Sequence, residues 1–136
     1  MTEQELIEGN TVLIEFDDFV FVNDDPETFP NGYYFHPDMG YYEIIDTSYH
    51  ISWDWLMPII EKIEAIRNEK YGWFGVYINS NSCSIQSKYA YKAMVGTPLE
   101  IGQECYLSDP NAVFPTKIES VWYNMVQFLK WYKQQK

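Results

Sequence analysis

The chain has 136 residues, with 20 Asp plus Glu against 9 Lys plus Arg, two Cys and a formal charge of −11. That length makes a single domain, residues 1–136, with enough interior to fold without a disulfide or metal staple. Its 46% apolar and 18% aromatic content excludes a disordered acidic tail. No apolar run reaches the roughly 18–20 residues of a membrane span. Met1-Thr2-Glu3-Gln4-Glu5 is acidic where a secretory signal is basic and then apolar. A cytoplasmic protein with reduced thiols is the expectation.

The charge is unevenly placed. Residues 1–61 hold 14 acidic side chains and no Lys or Arg, while residues 62–136 hold nine basic and six acidic ones. An asymmetry of this kind suggests an interaction surface, and it also keeps an aromatic-rich chain in solution. A field of that sign repels phosphate backbones, so direct nucleic-acid binding is not expected, whereas basic partners are steered in.

Taken in chain order, the segment Thr11–Val22 is ambiguous. Val12, Ile14 and Phe16 alternate as in a strand, whereas Leu13, Phe16 and Val20 suit a helix. Asn31-Gly32 and Asp38-Met39-Gly40 bracket Tyr33-Tyr34-Phe35-His36 and precede Tyr41–Ile45, which predicts an aromatic β-hairpin. A helix over about 52–68 follows, with Ser52 as cap and Trp55, Ile59, Ile63 and Ile66 on one stripe; Pro58 predicts a local distortion. Trp73–Ile78 and Cys83–Ile85 flank the polar turn Asn79-Ser80-Asn81-Ser82, a second hairpin. Gly96, Pro98, Gly102, Asp109-Pro110 and Pro115 make residues 86–115 a partly irregular connection, in which Tyr89, Tyr91, Met94 and Val95 form one short helical or strand piece. Thr116 and Glu119 have capping-box spacing ahead of a wide apolar stripe from Ile118 to Tyr132, with Lys130, Lys133 and Lys136 at its end, so a helix spans about 117–134. The expected class is α+β: a largely antiparallel sheet from two hairpins, packed with two main amphipathic helices. If residues 1–18 are helical, helices cover the sheet on both faces.

Tyr49-His50-Ile51-Ser52-Trp53-Asp54-Trp55-Leu56-Met57-Pro58 and the helical residues after it, Asn81-Ser82-Cys83-Ser84-Ile85, and Thr116 through Tyr132 together resemble a family of small proteins from phages and mobile elements of Bacteroidetes-type bacteria. More weakly, they resemble the phage αβα-sandwich domain family. The resemblance implies a three-layer α/β sandwich in a phage or prophage setting, with no established activity. The chain departs from the family pattern at Val12-Leu13-Ile14-Glu15-Phe16-Asp17-Asp18, which is more acidic and more β-branched, and at residues 86–115, which read as an insertion.

Motifs for chemistry are sparse. His36, His50, Cys83 and Cys105 have no zinc-site spacing, and Asp24-Asp25-Pro26-Glu27 lacks the frame of a calcium loop, so no metal is expected. Cys83 sits in a strand pattern and reads as a small core residue. His50 has Asp54 four residues on, a pairing that orients a helix start or, in a hydrolase of unknown type, serves as a base. No nucleophile elbow, phosphate loop or dinucleotide fingerprint occurs. No catalytic residue and no cofactor are assigned.

The aromatics point elsewhere. Trp53 and Trp55 lie two apart and face different ways on a helix, and each of the pairs Tyr33-Tyr34 and Tyr41-Tyr42 splits between two sheet faces. Either helices cover both faces, or some rings form a surface. The expected function is that of a small phage-type accessory that is not an enzyme. It binds a host or defence protein with a basic surface, as an anti-defence inhibitor or by acidic mimicry of nucleic acid. Asp17, Asp18, Asp24, Asp25, Glu27, Tyr34, Tyr42 and Trp53 are the contact candidates. The alternatives are a small-molecule binder with an aromatic pocket between sheet and helices, and a hydrolase using His50.

Overall fold

Thr2 opens the first helix. Its hydroxyl accepts the Glu5 amide at 3.1 Å while the Glu5 carboxylate accepts the Thr2 amide at 3.1 Å, a complete capping box that starts α1 (Glu3–Phe16). This resolves the ambiguous segment. A helix begun at Glu3 carries through Val12, Ile14 and Phe16, whose alternation would otherwise suit a strand, and buries Leu13 and Ile14. Asp18, at φ 64°, turns the chain out, and only then does β1 (Val20–Val22) begin. The computed structural model describes residues 2–80, 82–108 and 114–135. Met1, Asn81, the Asp109-Pro110 breaker and Lys136 lie outside the described residues.

Strand β1 joins the predicted hairpin, β2 (Tyr33–His36) and β3 (Gly40–Tyr42), in an antiparallel sheet of order β1-β2-β3. A 3-10 turn at Ile44–Asp46 leads toward α2 (Trp53–Ala65). That helix continues through Pro58 and buries Leu56, Ile59, Ile60 and Ile63. Ser52 occupies its N-cap position without a side-chain capping bond. The second hairpin, β4 (Phe74–Ile78) and β5 (Cys83–Ser87), forms a sheet of its own. The architecture is α+β, with the two hairpins in two small antiparallel sheets.

In the tract after β5 the expected short piece is a helix, followed by a largely irregular stretch. Ser87 caps α3 (Lys88–Met94) by accepting the Ala90 amide at 3.2 Å, and the same hydroxyl accepts the Tyr106 amide at 2.9 Å. Residues 106–108 then return along β5: Ser87 donates to the Tyr106 carbonyl, and Ser108 both donates to the Ile85 carbonyl and accepts the Ile85 amide. The edge of the hairpin is thereby paired, which removes an aggregation-prone strand edge.

Helix α4 (Lys117–Gln134) closes the core. Thr116 accepts the Glu119 amide at 3.2 Å, one half of the predicted box. Val121, Met125 and Phe128 are fully buried, and α4 packs against α1, α2 and β5. Gly9 meets Trp122 and Val126, and Glu15 meets Lys133, so α1 and α4 run side by side in the same direction. Trp122 lies directly on the α1 backbone: a Cβ at Gly9 would fall 2.3 Å from Trp122 Cζ2.

Helix propensity favours Ala over Gly at an interior position by about 1 kcal/mol, while overpacking a filled contact costs about 1–3 kcal/mol. A 2.3 Å approach to a buried indole makes the second effect the larger. Gly9→Ala is therefore expected to lower the urea midpoint with an unchanged slope. A raised midpoint would show that the ring is not held against α1.

Candidate functional site

The register of the three-stranded sheet sorts its aromatics. Val20, Phe35 and Tyr41 are cross-strand partners and share one face with Val22 and Tyr33, whereas Phe21, Tyr34 and Tyr42 share the other. The second face is directed at the core at Tyr34 and Tyr42, whereas Phe21 at its edge stays 51% exposed. Tyr42 meets Trp55 at 4.9 Å and Phe19 at 6.2 Å, and Tyr34 and Tyr42 are half-buried against core residues. The first face is open. Val20 is 61% exposed, Tyr41 62% and Phe35 42%. The sheet is thus covered by core on one face only, although residues 3–16 are helical.

A loop adds to this open face. Asp25 accepts the Thr28 amide through its carboxylate and the Phe29 amide through its carbonyl, and Phe29 in turn accepts the Gly32 amide. These bonds fold residues 25–32 back so that the Phe29 ring lies 4.7 Å from Tyr33 and 5.8 Å from Tyr41, with Tyr33 and Tyr41 5.8 Å apart. Gly32, at φ 75°, permits the reversal, and the Phe21 ring lies over it. The same loop carries Asp24, Asp25 and Glu27, all exposed. The Tyr33 hydroxyl donates to Asp24 at 3.5 Å. Partial desolvation first, then the charges of Asp24 and Asp25, hold the Tyr33 phenol above its usual pKa.

The predicted contact residues divide accordingly. Asp24 and Asp25 border the open face at Tyr33 and Glu27 is exposed in the same loop, but Tyr34 and Tyr42 belong to the inner face; their sheet neighbours Tyr33 and Tyr41 are the outward rings. Adjacent tyrosines obey strict alternation, and only the register says which of each pair turns outward. Phe29 and Phe35 were not among the sequence candidates; the alternation of Phe35 with Tyr34 was the available signal. Asp17 is buried at 7% exposure and accepts the Tyr49 hydroxyl at 2.7 Å, so it serves the interior. Burial raises its pKa, against the opposing effects of the Tyr49 bond and the Lys62 charge. Asp18 is exposed and paired with Lys62 at 2.8 Å. Trp53 is exposed at the start of α2, while Trp55 turns inward to Phe19, Tyr42 and Tyr49.

Among the described residues the ion pairs are Lys62–Asp18, Lys70–Glu104 and Lys133–Glu15. Asp24, Asp25 and Glu27 are in none of them. Among the described residues no group of three potential metal ligands gathers, and no helix is long and apolar enough to cross a membrane. Two grooves, of about 480 Å³ and about 470 Å³, lie along α1 and α4, and Tyr34, Tyr42 and Trp55 line neither.

His50 is engaged in structure. The Trp122 indole can only donate, and it donates to Asn10 Oδ1 at 2.8 Å, which leaves Asn10 Nδ2 facing His50 Nδ1 at 3.2 Å. His50 Nδ1 must then accept, so the ring is neutral with its proton on Nε2. Its partner is Asn10, not Asp54. Cys83 is buried, and burial pushes its thiol up to about 12, far from a reactive thiolate.

Protonating His50 would aim a donor at the Asn10 amide, and burial lowers its pKa below the ordinary 6.5. The unfolded chain therefore takes up this proton first as pH falls. Stability from the neutral ring is complete above pH 6.5 and is lost progressively below it, toward the lowered folded pKa. His50→Gln keeps an acceptor without titrating. Melting temperatures recorded from pH 8 to pH 5 are expected to fall more steeply for the native chain than for this variant; parallel curves would rule out a titrating role for the ring.

No family model, no curated protein and no solved structure matches this chain.

Proposed function

We propose that this chain is a non-enzymatic binding protein of the phage-accessory type, which docks a host or defence protein through the open face of the β1–β3 sheet. One observation carries the reading: an aromatic face of Phe29, Tyr33, Phe35 and Tyr41, bordered by carboxylates that no cation in residues 1–61 offsets. Tyrosine and phenylalanine bury large area at low entropic cost, which suits them to anchor an interface. The carboxylates select a partner whose rim is rich in Lys and Arg and speed its approach. Rings at the centre with acids at the edge favour a protein surface over simple mimicry of a phosphate array, in which charge would be evenly spaced. The engagement of His50 by Asn10 and the burial of Cys83 speak against a hydrolase built on either.

The test is photo-crosslinking in bacterial cells from a benzoylphenylalanine placed at residue 41, with the exposed residue 91 on α3 as control. The expected result is an adduct specific to residue 41. The captured protein, purified, should then bind with an affinity that falls at least tenfold on Tyr41→Ala or on Asp24→Asn with Asp25→Asn, and that weakens with added salt. Equal adducts at both positions, or binding indifferent to salt and to these substitutions, would overturn the reading.

A further inference from the structure

The two grooves along α1 and α4 belong together. On α1 their lining residues are Glu5, Glu8, Val12, Glu15 and Phe16, at steps of three and four, so they form one stripe. On α4, Glu119, Tyr123, Val126, Lys130 and Lys133 follow the same rule, and Lys130 lines both grooves. They are successive stretches of one trough along the α1–α4 seam. From residue 119 to residue 133 it extends roughly 20 Å at the helical rise, about four turns. Its floor is apolar, with Trp122 and Val126 in one half and Val12, Phe16 and Leu129 in the other.

The charge along the trough is ordered. Glu5, Glu8 and Glu119 line the end where both helices begin; Lys130 lines both stretches, and Lys133 lines the far end beside Glu15, so that cations outnumber acids two to one there. None of the three carboxylates, nor Lys130, is in an ion pair among the described residues. Lys133 meets Glu15 at 3.9 Å, but its side chain is 81% exposed, and such a pair yields readily to an incoming carboxylate.

We propose that this trough docks an amphipathic helix of a partner protein, seated antiparallel to α1 and α4, with Asp or Glu in its first turn and Lys or Arg in its last. Two independent effects select that orientation. Helices α1 and α4 are parallel, so a third helix adds favourable dipole interaction only when it runs the other way. An ordinary helix carries acids at its start and bases at its end; run antiparallel, it brings its bases to Glu5, Glu8 and Glu119 and its acids to Lys130 and Lys133. The parallel orientation opposes like charges at both ends. The apolar floor receives anchors spaced i, i+3 or i+4, and i+7. This surface lies on helices, apart from the β1–β3 face, and does not rest on the function assigned to that face.

The experiment selects displayed helical peptides of about 16 residues, with free choice at charged positions, against the full-length chain. Enriched peptides are expected to carry acids in the first turn and bases in the last. Their binding should weaken at least tenfold on Glu8→Lys with Glu119→Lys and stay within twofold on Tyr41→Ala. A nitroxide at the peptide C-terminus should broaden amide resonances around Glu5 and Glu119. Circular dichroism verifies that the variants fold; if the double variant does not, Glu8→Lys alone, on the exposed side of α1, is expected to weaken binding at least threefold. No enrichment, peptides without the charge order, indifference to the substitutions at residues 8 and 119, or broadening around Lys133 would each overturn the proposal.

Discussion

The seating of Trp122 on Gly9 and Asn10 is the contact on which the rest of the structure depends. The two sheets are separate, so no continuous ladder of backbone hydrogen bonds unites the chain. Helix α4 does so instead, by touching α1, α2 and β5 together. Gly9 lets the indole reach the α1 backbone, and Asn10 accepts its N–H at 2.8 Å while offering its own N–H to His50. One amide thus satisfies a polar group from α4 and another from the segment before α2. Loss of the amide would strand two polar groups, one of them in the deep interior, at a cost of about 1–3 kcal/mol each.

A second constraint follows from the absence of cations in residues 1–61. The last turn of α1 has no basic residue, yet its carbonyls form the negative end of a helix. Lys62, the first cation in the chain, comes from α2 to fill that role. Its ammonium donates to the Phe16 carbonyl and to Asp18, and it lies 4.9 Å from the Phe16 ring. The cation that completes α1 also anchors α2 against it, and its field helps Asp17 to remain in a buried position. Glu15 meets Lys133, but Asp24, Asp25 and Glu27 are in no ion pair among the described residues, and this leaves the loop at residues 24–27 available for an outside cation.

The periodic elements were legible in the sequence. Helix α4 falls where Thr116 and the stripe from Ile118 to Tyr132 place it, and Cys83 and Ile85 point inward as their alternation requires. The reading stayed open where local patterns conflicted. Thr2-Glu3-Gln4-Glu5 is a capping box in full, but its acids are as easily read as mere surface charge, and the alternation of Val12, Ile14 and Phe16 then competes. In the tract after β5, order comes from Ser87 and Ser108, whose hydroxyls bond amides 19 and 23 residues away; no local pattern announces such partners. The candidate surface was half legible. Its acids were, since charge needs no register. The outward rings were not, because Tyr33 and Tyr34 exchange roles on a one-residue slip, and long-range pairing alone fixes which is which.

The bond between Asn10 and Trp122 spans 112 residues of chain. A helix of 14 residues such as α1 is marginal by itself in water, whatever its cap. While the chain is being made, α1 therefore stays incompletely packed until α4 leaves the ribosome and docks beside it. Contacts of such separation are slow to form and leave apolar surface open to aggregation in the interval. The acids that precede Lys62 then have a use before any partner is met: they keep nascent chains apart while the first helix lacks α4, its main packing partner.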